Sequence, residues 1–180
     1  HLNGDNMGVT ADLRPVSSAL GVEIVGIGST LRPDAELSAL IGDALLRHHL
    51  VLIRGLELEA RDQVALMESL DLGEVLHEGD GGVPWGWITN SQESIEEGSL
   101  VDVSGSNLLW HADFEFCEAG PIQAISLYAV ECSVPGEPTG YANMVRAAEV
   151  LPPALRERVA GHRVLKAKDF SGDYHQMDIR

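Results

Sequence analysis

The sequence predicts a mixed α/β fold. Three observations carry this: an amphipathic helical pattern over residues 33–48, a continuous apolar run at 50–53 closed by Arg54 and Gly55, and a second amphipathic pattern over 58–70. Helix, buried strand and helix within the first seventy residues argue against a pure β-sandwich. The 180 residues are 44% hydrophobic and 22% charged, which suits one globular domain with a sizeable core and not a disordered segment.

Residues 1–20 are polar and mixed, broken by Pro15, and predict no element. Residues 21–27 alternate between apolar and polar and are bounded by glycines, which predicts a short strand. Pro33, Asp34 and Glu36 suit the first turn of a helix, where proline lacks no partner and acids meet the positive end of the dipole. Its apolar stripe is Leu37, Leu40, Ile41, Ala44 and Leu45, and it should end near His48. His48 and His49 are adjacent, about a quarter-turn apart on a helix, so a helix-end role fits them better than a shared metal. The run at 50–53 reads as a strand buried on both faces. In the second helix Ala60, Val64, Leu66, Met67 and Leu70 point inward, and Gly73 stops it. Over 74–106 the texture changes: Gly79, Gly81, Gly82, Pro84 and Gly86 interrupt any pattern, and one strand-like piece remains at 85–89. Long irregular segments in a compact domain often act as lids or binding loops, so 74–106 is predicted to be an active-site loop region. Trp85 and Trp87 flank Gly86 and face one way; they suit either core packing or a pocket wall.

Residues 107–116 carry the chemistry. Trp110, Ala112, Phe114 and Phe116 alternate with His111, Asp113 and Glu115, so an extended strand would put the aromatics on one face and metal-ligand types on the other. A His and an Asp two residues apart on one face can reach a single point, which supplies two of the three donors of a two-His-one-carboxylate iron site. The same pair also fits a surface ion pair. Residues 121–132 form a long alternating strand, 135–140 a turn rich in Pro and Gly, 147–151 and 154–159 short helices parted by Pro152 and Pro153, and 163–167 a last strand.

Twelve Lys and Arg face 28 Asp and Glu, a net charge of −16 that would repel a phosphate backbone or an anionic membrane. Cys117 and Cys132 are too few for a disulfide framework and read as free thiols of a reducing cytosol. With no apolar run of membrane-spanning length and no leader-like start, the expected location is cytoplasmic, and the expected partner a small molecule; self-association is compatible with the sequence.

Taken together, Trp110-His111-Ala112-Asp113, the strand at 122–131, the segment Gly136-Glu137-Pro138-Thr139-Gly140-Tyr141-Ala142-Asn143 and Leu151-Pro152 with its following helix resemble the taurine dioxygenase (TauD/TfdA) family of Fe(II)- and 2-oxoglutarate-dependent oxygenases. The resemblance extends over about residues 20–170. It implies a double-stranded β-helix, or jelly-roll, core with flanking helices, in which 1–180 belong to a single oxygenase domain. It implies that His111 and Asp113 bind Fe(II), that Thr139 and Asn107 contact 2-oxoglutarate, and that His77 and Trp87 fall where substrate is held. With O2 as oxidant, the implied reaction is hydroxylation or another oxidation of a small molecule with release of succinate and CO2. Asp113 argues against the halogenating variants, which lack that carboxylate.

One departure stands out. The family's distal histidine and its cosubstrate-clamping arginine lie in C-terminal strands, and here only His162 and His175 follow the metal motif. Neither stands in the family's distal-histidine context: His162 is expected at a helix-to-strand junction, His175 is the weaker match that remains, and the third ligand is not identified; the simplest expectation is that the C-terminal part of the domain is missing from these 180 residues. Two other classes share the residues: a metal-free jelly-roll binding domain, and a His/Asp metallohydrolase, against which the scarcity of histidines counts.

Overall fold

In the computed structural model, which describes residues 11–29, 33–75, 84–89, 99–102, 110–113, 122–131, 139–163, 165–166 and 176–177, the first element is one the sequence pattern did not announce. Strand β1 (Asp12–Pro15) is exposed along its length and pairs antiparallel with β2 (Val22–Val25). All four β1 residues are exposed, so no apolar alternation marks them, and Pro15 is tolerated because β1 is an edge strand and ends there. Ser17 closes the hairpin: its hydroxyl donates to the Leu20 carbonyl at 2.6 Å and accepts from the Ala19 and Leu20 backbone N–H groups.

Gly21 makes the entry to β2 possible. Its φ of +95° lies outside the range of ordinary L-residues, and a Cβ there would stand 3.3 Å from both Leu50 Cδ2 and Val16 Cβ. Its N–H donates to His48 O at 3.0 Å, tying the strand to the end of the following helix. Gly21→Ala is therefore expected to cost about 1–3 kcal/mol in a denaturant titration, through backbone strain and crowding together.

Helix α1 (Ala35–His48) begins where Asp34 caps it by accepting from Leu37 N at 2.8 Å, and Pro33 stands before the cap instead of inside the first turn. His49 ends it in the left-handed region at φ 63°, giving its N–H to Leu45 O at 2.8 Å. The chain then returns as β3 (Val51–Ile53), parallel to β2, so β2, α1 and β3 form one crossover unit. The three-stranded order is β1-β2-β3. The expectation that residues 50–53 are buried on both faces is corrected: among the described residues β3 lies at the edge of the sheet, half-exposed at every residue, and the central, more buried strand is β2. An all-apolar run tells how much burial a segment tolerates, not which neighbour covers it.

The core lies between this sheet and the helices. Val22 and Ile24 from β2, Leu37, Ile41 and Ala44 from α1, and Leu66 from α2 (Ala60–Ser69) are buried, with Leu40, Val51, Ile53 and Leu70 packed around them. The α2 start is set by the Glu59 N–H donating to the Asp62 carboxylate at 3.0 Å. The buried polar side chain Ser38 is satisfied: its hydroxyl donates to Ser69 Oγ at 2.9 Å, and Ser69 passes its own proton to Leu66 O.

The described residues fall into two compact units, the first of 1–105 with 126–143 and the second of 106–125 with 144–180. The first also contains β4 (Trp87–Thr89) and β5 (Ser99–Asp102), a parallel pair within the region expected to be loop-rich. The second contains α3 (Met144–Glu149), α4 (Pro153–Val159) and the antiparallel pair β6 (Leu165–Lys166) and β7 (Gln176–Met177). Pro153 occupies the first turn of α4, the position where its missing N–H costs nothing. Arg156 donates to Ala148 O and Glu149 O, joining the two short helices. A mixed α/β architecture is thus what the chain adopts. Among the described residues no helix is long and apolar enough to cross a membrane.

Candidate metal centre

The residues that the sequence singled out as donors are brought together. His111 Nε2 and Asp113 Oδ1 stand 3.2 Å apart, with side chains 35% and 45% exposed. The chain at 110–113 is a bend followed by a turn, not a strand, and Trp110 is 76% exposed where the alternating pattern placed it inward. The pairing of the two donors therefore survives while the strand that was to produce it does not. Two side chains separated by one residue can converge in a turn as well as on a strand, so the spacing was informative and the backbone reading was not.

The donor set can be tested against a metal. With metal–donor bonds of about 2.1 Å and an angle near 90°, two donors of one cation stand about 3 Å apart. The observed 3.2 Å fits adjacent ligands of a single ion. An imidazole nitrogen and a carboxylate oxygen are both donor types that a divalent cation takes, and two atoms placed to share a proton are placed to share a cation. Among the described residues no group of three or more His, Cys, Asp or Glu side chains is poised to hold a metal, so a metal held by this pair would need further donors.

The other predicted site residues divide. Thr139 is described and exposed, in an irregular stretch that runs to Asn143 just before α3. Trp87 lies in β4, paired with Ser99 of β5. His162 follows α4 and is exposed, at the junction expected for it, with its N–H given to Val159 O. Asn107, His77, His175, Glu115 and both cysteines lie outside the described residues.

Residues 122–131 keep the alternation that the sequence announced but not the strand expected from it: none of them lies in a strand, because alternation makes a strand only where a partner supplies the ladder. Exposure alternates, with Ile122, Ala124, Ser126 and Tyr128 on the more buried side and Gln123, Ile125, Leu127 and Ala129 on the other. Sequence reasoning missed what the more buried side does. The Tyr128 hydroxyl donates to Leu56 O at 3.1 Å and accepts from Leu58 N at 3.2 Å, while Gln63 Nε2 donates to Ser126 O and Ser126 Oγ at 3.1 and 2.9 Å. Asn143 Nδ2 donates to Ala19 O at 2.9 Å. A tyrosine and a serine on the inner face of an alternating run were the available signal: a partly buried hydroxyl must find a partner, although its identity 72 residues away is invisible in the sequence.

A family model described as "Taurine catabolism dioxygenase TauD, TfdA family" matches residues 12–178. The chain is also similar to an alpha-ketoglutarate-dependent sulfate ester dioxygenase of Pseudomonas putida, at 31% identity over 153 residues, covering 81% of this chain and 46% of that protein. It thus spans about half the length of this curated relative. No solved structure matches the chain at the same stringency.

Proposed function

The chain belongs to the TauD/TfdA family, and from that premise we propose that it forms part of an Fe(II)- and 2-oxoglutarate-dependent dioxygenase that oxidises a small organic substrate and releases succinate and CO2. The observation that carries the reading is the approach of His111 Nε2 to Asp113 Oδ1, at a distance suited to adjacent ligands of one ion and inside the residues the family model covers. When bound there, ferrous iron supplies the redox chemistry, coupling oxidative decarboxylation of 2-oxoglutarate to oxidation of a substrate C–H bond by O2.

The chain's own residues have distinct parts in this proposal. His111 donates a neutral nitrogen, and Asp113 offsets one unit of the cation's charge. The Thr139 hydroxyl, exposed as a cosubstrate-binding group must be, donates to the distal carboxylate of 2-oxoglutarate. Asn107 stands beside the cosubstrate, and His77 and Trp87 belong to the substrate pocket, with 74–106 as the active-site loop region of a single oxygenase domain.

Sulfate esters are the substrate class to try first, because the Pseudomonas putida relative is named for them. Hydroxylation of the carbon bearing the ester oxygen gives a product that collapses to an aldehyde and inorganic sulfate. The test is therefore made on the natural full-length protein with an alkyl sulfate: succinate should form only when Fe(II) and 2-oxoglutarate are both present, with aldehyde and sulfate in equal amount. Succinate formation unaffected by chelation of iron would overturn the oxygenase reading; succinate with another substrate, but not with alkyl sulfates, would overturn the substrate class alone.

A further inference from the structure

We propose that Asn143 is a positioning residue for 2-oxoglutarate, acting through Thr139; the inference rests on the reading of Thr139 given above. Thr139, Gly140, Tyr141 and Ala142 are all exposed, and among the described residues none of them lies in a helix or strand. A hydroxyl on such a stretch has no fixed place unless something outside the stretch holds its ends. Asn143, four residues on, is half-buried, and its side-chain amide donates to the carbonyl of Ala19 at 2.9 Å, across 124 residues of sequence. Ala19 is itself fixed: it lies in the β1–β2 turn, where its N–H is held by the Ser17 hydroxyl.

A second anchor lies upstream: Tyr128 bridges Leu56 O and Leu58 N, and Gln63 grips Ser126 at two atoms, so Ser126 and Tyr128, like Asn143, are attached to the N-terminal sheet and helices through side-chain clips. The Asn143 clip sets where the residues beside it stand while adding little to overall stability, because an exposed hydrogen bond contributes little net free energy to the fold. What it affects is the entropy of ordering a binding group, which is charged to the ligand when the group is not already in place. Asn143 therefore needs no contact with the cosubstrate to influence its binding.

Asn143→Asp keeps shape and an oxygen acceptor but loses the N–H donor to Ala19, and Asn143→Leu, which loses the donor without adding a charge near the anionic cosubstrate, must give the same result. In the natural full-length protein, with iron and substrate saturating, the expected result is a KM for 2-oxoglutarate raised about three- to tenfold with kcat retained and the thermal midpoint unchanged. Thr139→Val should raise the same KM, and the double variant should be no worse than Thr139→Val alone, because both changes remove one interaction. If Asn143→Asp leaves the KM for 2-oxoglutarate unchanged, or if the two effects multiply, Asn143 does not act through Thr139 and the inference fails while the reading of Thr139 stands. If Thr139→Val itself leaves that KM unchanged, the cosubstrate role of Thr139 is wrong and the inference falls with it.

Discussion

His111→Ala is expected to abolish iron-dependent succinate formation, lowering kcat/KM for 2-oxoglutarate by more than about a hundredfold. The reason is the arithmetic of the ligand set. His111 and Asp113 stand together as the proposed ligand pair, and removing His111 takes away its imidazole donor and leaves Asp113 as the pair's one remaining donor, which weakens the hold on a divalent cation and its geometric selection. The fold should not feel the change. His111 is an exposed residue in a turn, outside the buried core, and substitutions at such positions usually alter stability by less than about 0.5 kcal/mol. The measurement is therefore paired: turnover is lost while the thermal midpoint stays within a few degrees, and bound iron falls in parallel. Retained turnover at ordinary iron concentrations would show that the pair is only a surface ion pair, the bland interpretation that the sequence alone left open.

What the sequence made legible, and what it did not, follows from how far each signal reaches along the chain. The stripe and end of helix α1 were readable because both are local: Leu37, Ile41 and Ala44 repeat at helical spacing and the helix ends at His48, whereas Asp34, assigned to the first turn, is its cap. The His111–Asp113 pair was readable because two residues of separation suffice to bring the donors together. Strand β1 was not, because a fully exposed edge strand is stabilised by its ladder with β2 and has no face to bury. Nor was the exposed bend at Trp110, since alternation gives a strand only where a partner supplies the ladder. The clips from Tyr128, Gln63 and Asn143 span 63 to 124 residues, and no local pattern encodes a partner at that distance. The site's chemistry was local and its positioning was not.

That division predicts the second large effect, in the sheet and helix unit on which the clips depend. Ile24→Ala should destabilise the protein by about 2–5 kcal/mol, a large part of the roughly 5–15 kcal/mol that a domain has in total. Ile24 is 2% exposed at the centre of the middle strand, opposite Leu13 on one side and Ile53 on the other, and it belongs to the core cluster with Leu37, Ile41 and Ala44 of α1. Two effects compete in the substitution. Loss of strand propensity is worth up to about 1 kcal/mol, whereas the removed side-chain carbons forfeit transfer energy and leave a cavity that a close-packed layer refills only in part. Ile24→Val separates them, because it keeps the β-branch and removes one methyl group, and should cost about 0.5–1.5 kcal/mol. Leu13→Ala, on the neighbouring edge strand at 44% exposure, should cost less than either large cavity would. The check is the urea midpoint at constant slope, so that a change in the unfolded state is not mistaken for one in the core. Were Ile24→Ala no more costly than Leu13→Ala, β2 would not be the centre of the core. The consequence for the site is specific: Ile24→Ala lowers stability throughout the unit that carries Ala19, whereas Asn143→Asp leaves stability alone and weakens cosubstrate binding, so the two variants divide the fold's contribution from the clip's.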